Sequence, residues 1–366
     1  MPWNTPTLKE VRGLVRDDIR ASLPGADASV PNSVLRVLSD AQGGLCHLNL
    51  QYIDWLTLQL LPDTAEGEWL DRHGAIWLVN SDGTKGRKQA TFASGTVTFT
   101  GDPGTIVPTA TVLTGLADYE TTEEITVGSG ATAAPVRSLD AGAIGNLEGG
   151  SSLGVSAVIP GLDGSATVVD ITGGVDVEND DDLRARILFR IRQPPMGGDA
   201  NDYVAWALSV PGVTRAWAAT EMGIGTITVR FMMDELRADQ DGFPNNEDVA
   251  MVKEYIDTVR PVTTKDCWVL APVPEPIDFT IRSLVEDEES IRENVEISVK
   301  DMLRVKAAPA HSVNGQMVPA TTVYVAWVSE AIMHVVGVES FTLRMIDHPM
   351  PNNGNLAVLG TILYER

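Results

Sequence analysis

Apolar residues in the first 88 positions recur at spacings of three and four, and this pattern predicts helices. Thr7 and Glu10 have the spacing of a capping box, so the first helix is predicted to begin there. Leu23-Pro24-Gly25 interrupts the pattern and is predicted to end this helix. A second helix is predicted to run from Val34 until Pro62, and a third covers residues 65–79.

The second predicted helix carries a seam of apolar residues in which spacings of four and three alternate. The members of the seam are Val34, Leu38, Ala41, Leu45, Leu48, Tyr52 and Trp55. A seam of about three heptads favours another long helix as its partner, although the Gly43-Gly44 pair weakens the helix locally. Two arrangements remain open: a three-helix bundle within this chain, or a bundle with a second copy or another subunit.

Alternation of polar and apolar residues replaces the helical spacing over residues 90–172, as in Thr96-Val97-Thr98-Phe99-Thr100. Turn signals such as Gly101-Asp102-Pro103-Gly104 separate these runs. The stretch is rich in Gly and Thr, and its only basic residue is Arg137. We therefore predict a β-domain of short strands that serves as a spacer or a docking surface.

Helical and strand patterns alternate from Gly173-Gly174 to the end of the chain. An acidic run opens the first of these helices, and arginines fill its later turns, which suits the helix dipole. The predicted fold class is α+β and multidomain, with an N-terminal helical arm, a Gly/Thr-rich all-β insert domain and two C-terminal α/β modules with mainly antiparallel strands. The predicted boundaries are 1–88, 89–172, 173–271 and 272–366.

The two predicted C-terminal modules share a short sequence echo. Tyr203-Val204-Ala205-Trp206 precedes Gly212-Val213, and Tyr324-Val325-Ala326-Trp327 precedes Gly337-Val338. Each reads as a helix, a turn and then two strands. A duplicated α–β–β module is therefore a hypothesis.

The chain has 366 residues, with 27 Lys and Arg against 50 Asp and Glu, and a formal net charge of −23. This charge argues against partners such as nucleic acid or anionic membranes, because phosphate contacts require clustered basic residues. The longest apolar stretch, Met317 to Val338, is interrupted by Glu330 and His334 and is predicted to be a buried helix and not a membrane span. Cys46 and Cys267 lie in apolar contexts and are predicted to be buried, reduced thiols.

Catalytic constellations are not found in the sequence. The five histidines are scattered, and no phosphate-binding glycine loop exists. Gly150-Ser151-Ser152-Leu153-Gly154 matches G-x-S-x-G, but no helical pattern follows it, so a turn at a strand end is predicted. The acidic run from Asp176 to Asp182 lacks the Gly and Glu of an EF-hand loop, which favours acid–Arg pairing and leaves an irregular cation site as an alternative. We therefore expect no cofactor and no enzymatic activity.

The central stretch GGVDVENDDDLRAR, residues 173–186, is followed in order by further motifs up to Val229 and by Arg260-Pro261-Val262. Together with Gly101–Pro108 and Gly142–Asn146, these motifs resemble the baseplate J-like family of wedge proteins from contractile-tailed bacteriophages and related injection machines. The positions that carry the central resemblance are Gly173, Gly174, Asp176, Glu178, Asp182, Arg184, Arg186, Gly197, Gly198, Asp202, Tyr203, Trp206, Gly212 and Val213. Asn179 stands where the family has Ser, a small polar exchange that should still cap a turn.

The resemblance implies a structural component of the virion tail baseplate that is assembled in the host cytoplasm. It implies that two copies pair within a wedge, that their N-terminal helices join a third helical wedge protein, and that the dimers link wedges into a ring around the hub. Hub and sheath-initiator-like proteins are further implied partners, without nucleic acid or membrane insertion. We expect the seam residues to be the bundle contacts. A tail-associated adhesin or fibre-attachment protein remains an alternative, and so, less favoured, does a cell-wall-degrading tail enzyme.

Overall fold

The computed structural model describes residues 4–223, 225–285 and 288–365. Three helices form the N-terminal region: α1 (Leu8–Ser22), α2 (Val34–Gln59) and α3 (Gly67–Trp77). The predicted capping box is confirmed, since the Glu10 carboxylate accepts the Thr7 backbone N–H at 2.7 Å. The Ser33 hydroxyl accepts the Arg36 N–H at 3.2 Å and begins α2 in the same way.

The region that follows is built of strands, as its alternating pattern predicts. The strands are β1 (Phe92–Gly101), β2 (Ile106–Val107), β3 (Val112–Thr114), β4 (Asp118–Thr121), β5 (Ile125–Thr126), β6 (Thr132–Ala141), β7 (Ser152–Val155) and β8 (Leu162–Thr172). Six of them close into an antiparallel barrel in the order β1-β6-β4-β3-β7-β8, while β2 and β5 form a separate ribbon. The inward side chains of Phe99, Leu113 and Tyr119 are fully buried and fill the barrel. Three barrel strands have ten or eleven residues, so the expectation of short strands holds only in part.

Two small sheets with helices complete the chain. The central elements are α4 (Asp180–Arg192), α5 (Ala200–Leu208), β9 (Arg215–Ala219), β10 (Thr226–Met232), α6 (Asn246–Val259) and β11 (Asp266–Leu270). The C-terminal elements are β12 (Val273–Arg282), α7 (Glu289–Lys306), β13 (His311–Val313), β14 (Gln316–Val318), α8 (Val325–Met333), β15 (Thr342–Arg344) and β16 (Asn355–Glu365). The sheet orders are β11-β10-β9 and β15-β12-β16, and each sheet has its own buried cluster.

The expectation of mainly antiparallel pairing in the C-terminal modules holds only in part, because these two sheets are mixed. Each sheet contains one antiparallel pair and one parallel pair, β10 with β11 and β12 with β16. The reason is the connection: α6 separates β10 from β11, and helices separate β12 from β16, so the chain crosses over and returns in the same direction. The echo of Tyr203 and Tyr324 does not mark a repeated pairing, because β9 pairs with β10 whereas β15 and β16 lie on opposite sides of β12. The hypothesis of a duplicated α–β–β module is therefore wrong at the level of strand pairing.

Two further expectations are corrected. The stretch from Met317 to Val338 is not one helix, because β14 occupies its start and Pro319 lies between β14 and the later helix α8. Cys46 is exposed on α2, whereas Cys267 is buried as predicted, and burial raises the pKa of the Cys267 thiol to about 11. Among the described helices, none combines the length and the apolar character needed to cross a membrane.

Candidate assembly surface

Helix α1 packs along one face of α2, and small residues of α2 allow this close approach. Ser39 and Gly43 of α2 are buried in the contact, and a Cβ atom on Gly43 would lie only 2.9 Å from Cγ of Arg12. Arg16 and Asp40 form an ion pair one turn away, and Arg36 donates to the same carboxylate at 2.9 Å. The Arg16 hydrogen bond lowers the pKa of Asp40 below its ordinary value. Since Arg12 meets Gly43 and Arg16 meets Asp40, the two helices run antiparallel.

The predicted seam lies on the opposite face of α2, and all seven of its residues are exposed. Val34 is 75% exposed, Leu48 66% and Trp55 42%. The intramolecular three-helix bundle is therefore not formed. Helix α3 instead packs on α4, where Leu70, Leu183 and their neighbours make a small buried cluster.

The exposed face of α2 is not only apolar but also uncharged. The charged residues of this 26-residue helix are Arg36, Asp40 and Asp54, and the first two are occupied at the α1 contact. Val37, Ile53 and Leu58 widen the apolar surface beside the seam, each more than half exposed. A monomeric soluble protein rarely leaves such a long apolar stripe in water, so this surface is typical of an interaction site.

The family-motif residues lie elsewhere, where the chain enters and leaves the barrel. We call the two adjacent segments 87–91 and 173–178 the neck. Thr91 N–H donates to the Val175 carbonyl at 2.9 Å, and Val175 N–H donates to the Thr91 hydroxyl at 2.9 Å. Asn146 forms two hydrogen bonds of 2.8 Å with the backbone of Gly174, and Asp176 accepts the Ala143 N–H at 2.8 Å. These hydrogen bonds attach the neck to the 142–146 loop of the barrel domain.

A buried ion pair fastens the neck to α4. Arg186 donates to both oxygens of Glu178 at 2.7 and 2.8 Å and to Asn80 Oδ1 at 2.6 Å. Both charged residues are 8% exposed. The predicted pairing of Arg186 with an acid of the run is therefore found, while Arg184 pairs with Asp181 at the surface. In the part of the chain that the structure describes, Asp176 forms no ion pair.

Lys88 is a structural residue of the neck that the sequence pattern did not single out. Its ammonium group donates to the carbonyl oxygens of Leu208, Val210 and Val213 at 3.2, 3.5 and 2.9 Å, at the end of α5 and in the turn that follows it. Desolvation by burial is the main cause that lowers the pKa of Lys88 to about 8, followed by the nearby Arg186 charge. A single lysine ahead of a β-rich stretch carries no signal of this role in the sequence.

The remaining motif residues shape the turns around α5. The Asp202 carboxylate accepts backbone N–H groups of Met196 and Gly198 at 3.1 and 2.6 Å, which closes the loop before the helix. Gly197, Gly198 and Gly212 have positive φ angles, so glycine suits these turns. Tyr203 and Val213 are buried, and Trp206 packs edge-on against the Tyr203 ring at 4.8 Å. These contacts show how the motif residues around α5 hold the fold together.

Among the described residues, no group of three His, Cys, Asp or Glu side chains is arranged to hold a metal ion. The acidic run is dispersed instead: Asp180 pairs with Arg87, Asp182 accepts from Asn179, and Glu178 pairs with Arg186. The G-x-S-x-G match lies at the start of β7, so it is a turn at a strand end as predicted.

Comparison with known proteins identifies the family. Residues 96–174 match the model of the baseplate J-like protein barrel domain, and residues 195–271 match that of the baseplate J-like central domain. The chain is 30% identical to baseplate protein gp47 of Escherichia phage Mu over 380 aligned positions, which cover 99% of both chains. The chain belongs to the baseplate J-like family. The resemblance carried by the motifs from Gly101 to Val213 is thereby confirmed.

Another relative of this baseplate J-like chain is the Mu-like prophage FluMu protein gp47 of Haemophilus influenzae. It is 34% identical over 315 residues, which cover 82% of this chain and 84% of the relative. A solved chain of the anti-feeding prophage baseplate aligns over 98% of this chain and 99% of its own length, with 11% identity and a TM-score of 0.47. That similarity is too loose to bear on function.

Proposed function

We propose that this protein is a structural component of a phage tail baseplate, and that α2 is the helix by which it joins its neighbours. The observation that carries the proposal is the uncharged apolar seam from Val34 to Trp55, which lies opposite α1 and is exposed along its length. Burial of each large apolar side chain of the seam contributes about 1.5–3 kcal/mol. A helical partner that covers the seam therefore stabilises the assembly strongly.

The seam geometry favours helices as partners, because its alternating spacings of four and three match knobs-into-holes packing. We propose that a second copy and a third helical wedge protein supply these helices, and that the resulting dimers link wedges into a ring around the hub. The relative from phage Mu, which is named as a baseplate protein, supports the baseplate role. The baseplate of the virion tail is the proposed location, with assembly in the host cytoplasm.

The neck complements the arm in this proposal. Buried hydrogen bonds and the Glu178–Arg186 pair connect the barrel, α4 and α5. These connected elements can therefore transmit force without changing their shape. A ring that changes diameter needs interfaces with two arrangements and rigid parts between them. We propose that the interfaces with two arrangements lie on the N-terminal arm. The neck keeps the parts between them rigid.

The test is the mass of the purified chain, alone and co-expressed with the neighbouring tail proteins. We expect a monomer or a weak dimer alone, and a stable 2:1 complex with a helical partner. Cys46 then serves as a probe, because it is exposed on α2 whereas Cys267 is buried. A bismaleimide should link two copies through Cys46 in the complex, and Cys46→Ser is the control. A monomer that binds none of the tail proteins would contradict the proposal.

A further inference from the structure

A groove of about 250 Å³ lies where α3, α4, α5 and α6 meet, away from the α2 seam. Aromatic side chains line it: Trp77 at the end of α3, Phe189 of α4, Trp206 of α5 and Tyr255 of α6. Trp77 is 43% exposed, and the side chain of Val79 at the rim is 62% exposed. The groove is therefore open to a partner and not a closed packing defect.

Several hydrogen-bond donors in the groove have no protein acceptor among the described residues, and none of them is buried from solvent. Arg190 is half-buried there, and within residues 4–223, 225–285 and 288–365 its guanidinium has neither an ion pair nor a hydrogen bond. The same holds, over the same ranges, for the indole N–H groups of Trp77 and Trp206 and for the Tyr255 hydroxyl. Arg186, on the same helix, is by contrast fully engaged by Glu178 and Asn80.

The one carboxylate that lines the groove is already occupied. Asp202 accepts backbone N–H groups of Met196, Gly198 and Asp199, which fixes it in the loop before α5. It is therefore not a partner for Arg190, and no ion pair joins the two among the described residues. Within the described residues, the groove presents aromatic walls and a half-buried Arg190 without a protein partner.

We infer that this groove binds an extended segment of another baseplate protein that carries a carboxylate next to an apolar side chain. The inference rests on the proposed function for the source of the partner. Trp, Tyr and Arg are the residues that dominate binding energy at protein interfaces, and a guanidinium with free donors pairs best with a carboxylate. Because the chain has a net charge of −23, an acidic partner is repelled at long range, and its attraction depends on direct contact with Arg190.

The partner segment is identified in assembled baseplates. The photo-crosslinking residue p-benzoylphenylalanine replaces Met196, an exposed position in the loop between α4 and α5 whose neighbour Pro195 lines the groove. Mass spectrometry of the crosslinked peptide should find a segment of another baseplate protein with Asp or Glu within a few residues of an apolar side chain. A crosslinked segment from a second copy of this chain, or one without a carboxylate, would overturn the inference.

The charge of Arg190 provides a second test with a matched control. Arg190→Glu should lower incorporation into baseplates by about tenfold, while Arg192→Glu, in the same last turn of α4 but exposed, should change it less than about twofold. Both variants alter the helix dipole equally, so thermal unfolding of the isolated chains should agree. Exchange of the partner's acid for Lys should restore incorporation of Arg190→Glu.

Equal incorporation of the two variants would overturn the inference while leaving the proposed function intact. A wild-type chain that never enters baseplates would instead refute the proposed function, so the two failures are distinguishable.

Discussion

The N-terminal arm of this protein exposes apolar residues and the neck buries charged ones, which is the reverse of the usual distribution. Leu45 and Leu48 of the α2 seam are 63% and 66% exposed, whereas Glu178 of the neck and its partner Arg186 on α4 are each 8% exposed. The neck is complete within one chain, because each buried charge finds its partner there. The arm leaves its apolar stripe uncovered by the described residues of the chain, and we propose that other chains cover it. Under the proposed function, folding and assembly therefore use separate sets of residues in this protein.

The largest effect is expected at the neck. Glu178→Ala leaves Arg186 buried without its carboxylate, and we expect unfolding free energy to fall by about 3–5 kcal/mol in urea titration. Asp181→Ala is the control, because this carboxylate pairs with Arg184 while remaining 94% exposed; its loss should stay below about 1 kcal/mol. Equal losses would show that the neck pair is no more important than a surface pair.

The pH dependence of the unfolding free energy tests the role of Lys88 in the neck. Its folded pKa, about 8, lies below the ordinary value of 10.5, so the unfolded chain binds more protons between these two values. The contribution of Lys88 to stability should therefore rise from pH 8 to pH 10.5, by up to about 3 kcal/mol. The measurement compares unfolding free energies of the wild type and Lys88→Met across this range. If the difference between the two unfolding free energies did not change with pH, a lowered pKa of Lys88 would be contradicted.

In the arm, we expect a substitution to weaken assembly and to leave the stability of the lone chain nearly unchanged. Leu48→Asp places a charge in the seam, and we expect it to weaken the complex with the helical partner by tenfold or more, about 1.4 kcal/mol or above. The unfolding midpoint of the lone chain should hardly move, since Leu48 is exposed. Gln51→Asp, exposed on α2 outside the seam, is the control. A Leu48→Asp chain that still assembled normally would remove the seam from the interface.

The smallest effects distinguish the two adjacent glycines of α2. Nothing lies within 4 Å of a Cβ atom on Gly44, so Gly44→Ala should stabilise the lone chain by up to about 1 kcal/mol. On Gly43 the same atom would meet Arg12, and α1 would have to shift, so Gly43→Ala should give no gain. Thermal unfolding measures both. A gain for Gly43→Ala would mean that the α1 contact is looser than the structure indicates.

Local patterns predicted most elements of this chain, because capping, periodicity and turn chemistry act within a few residues. The capping box at Thr7, the start of α4 in the acidic run and the strand Thr226–Met232 are all found as the sequence indicated. Strand direction in the two small sheets was not predictable in this way, since it depends on which helix crosses over between strands. Cys46 was misjudged for a related reason: its apolar neighbours indicated burial, but they belong to an outward face.

The sequence by itself determined the helices, the β-rich insert, the seam on α2 and the family motifs, since each is written in short spacings. Only the tertiary structure decided which face of each element is covered. It placed α1 against Gly43 and left the seam in water, and it brought Lys88 to carbonyls about 120 residues away in the chain. It also left Arg190 in an aromatic groove without a partner among the described residues. The physical reason is that burial and charge pairing are set by contacts between distant segments, which local periodicity does not encode.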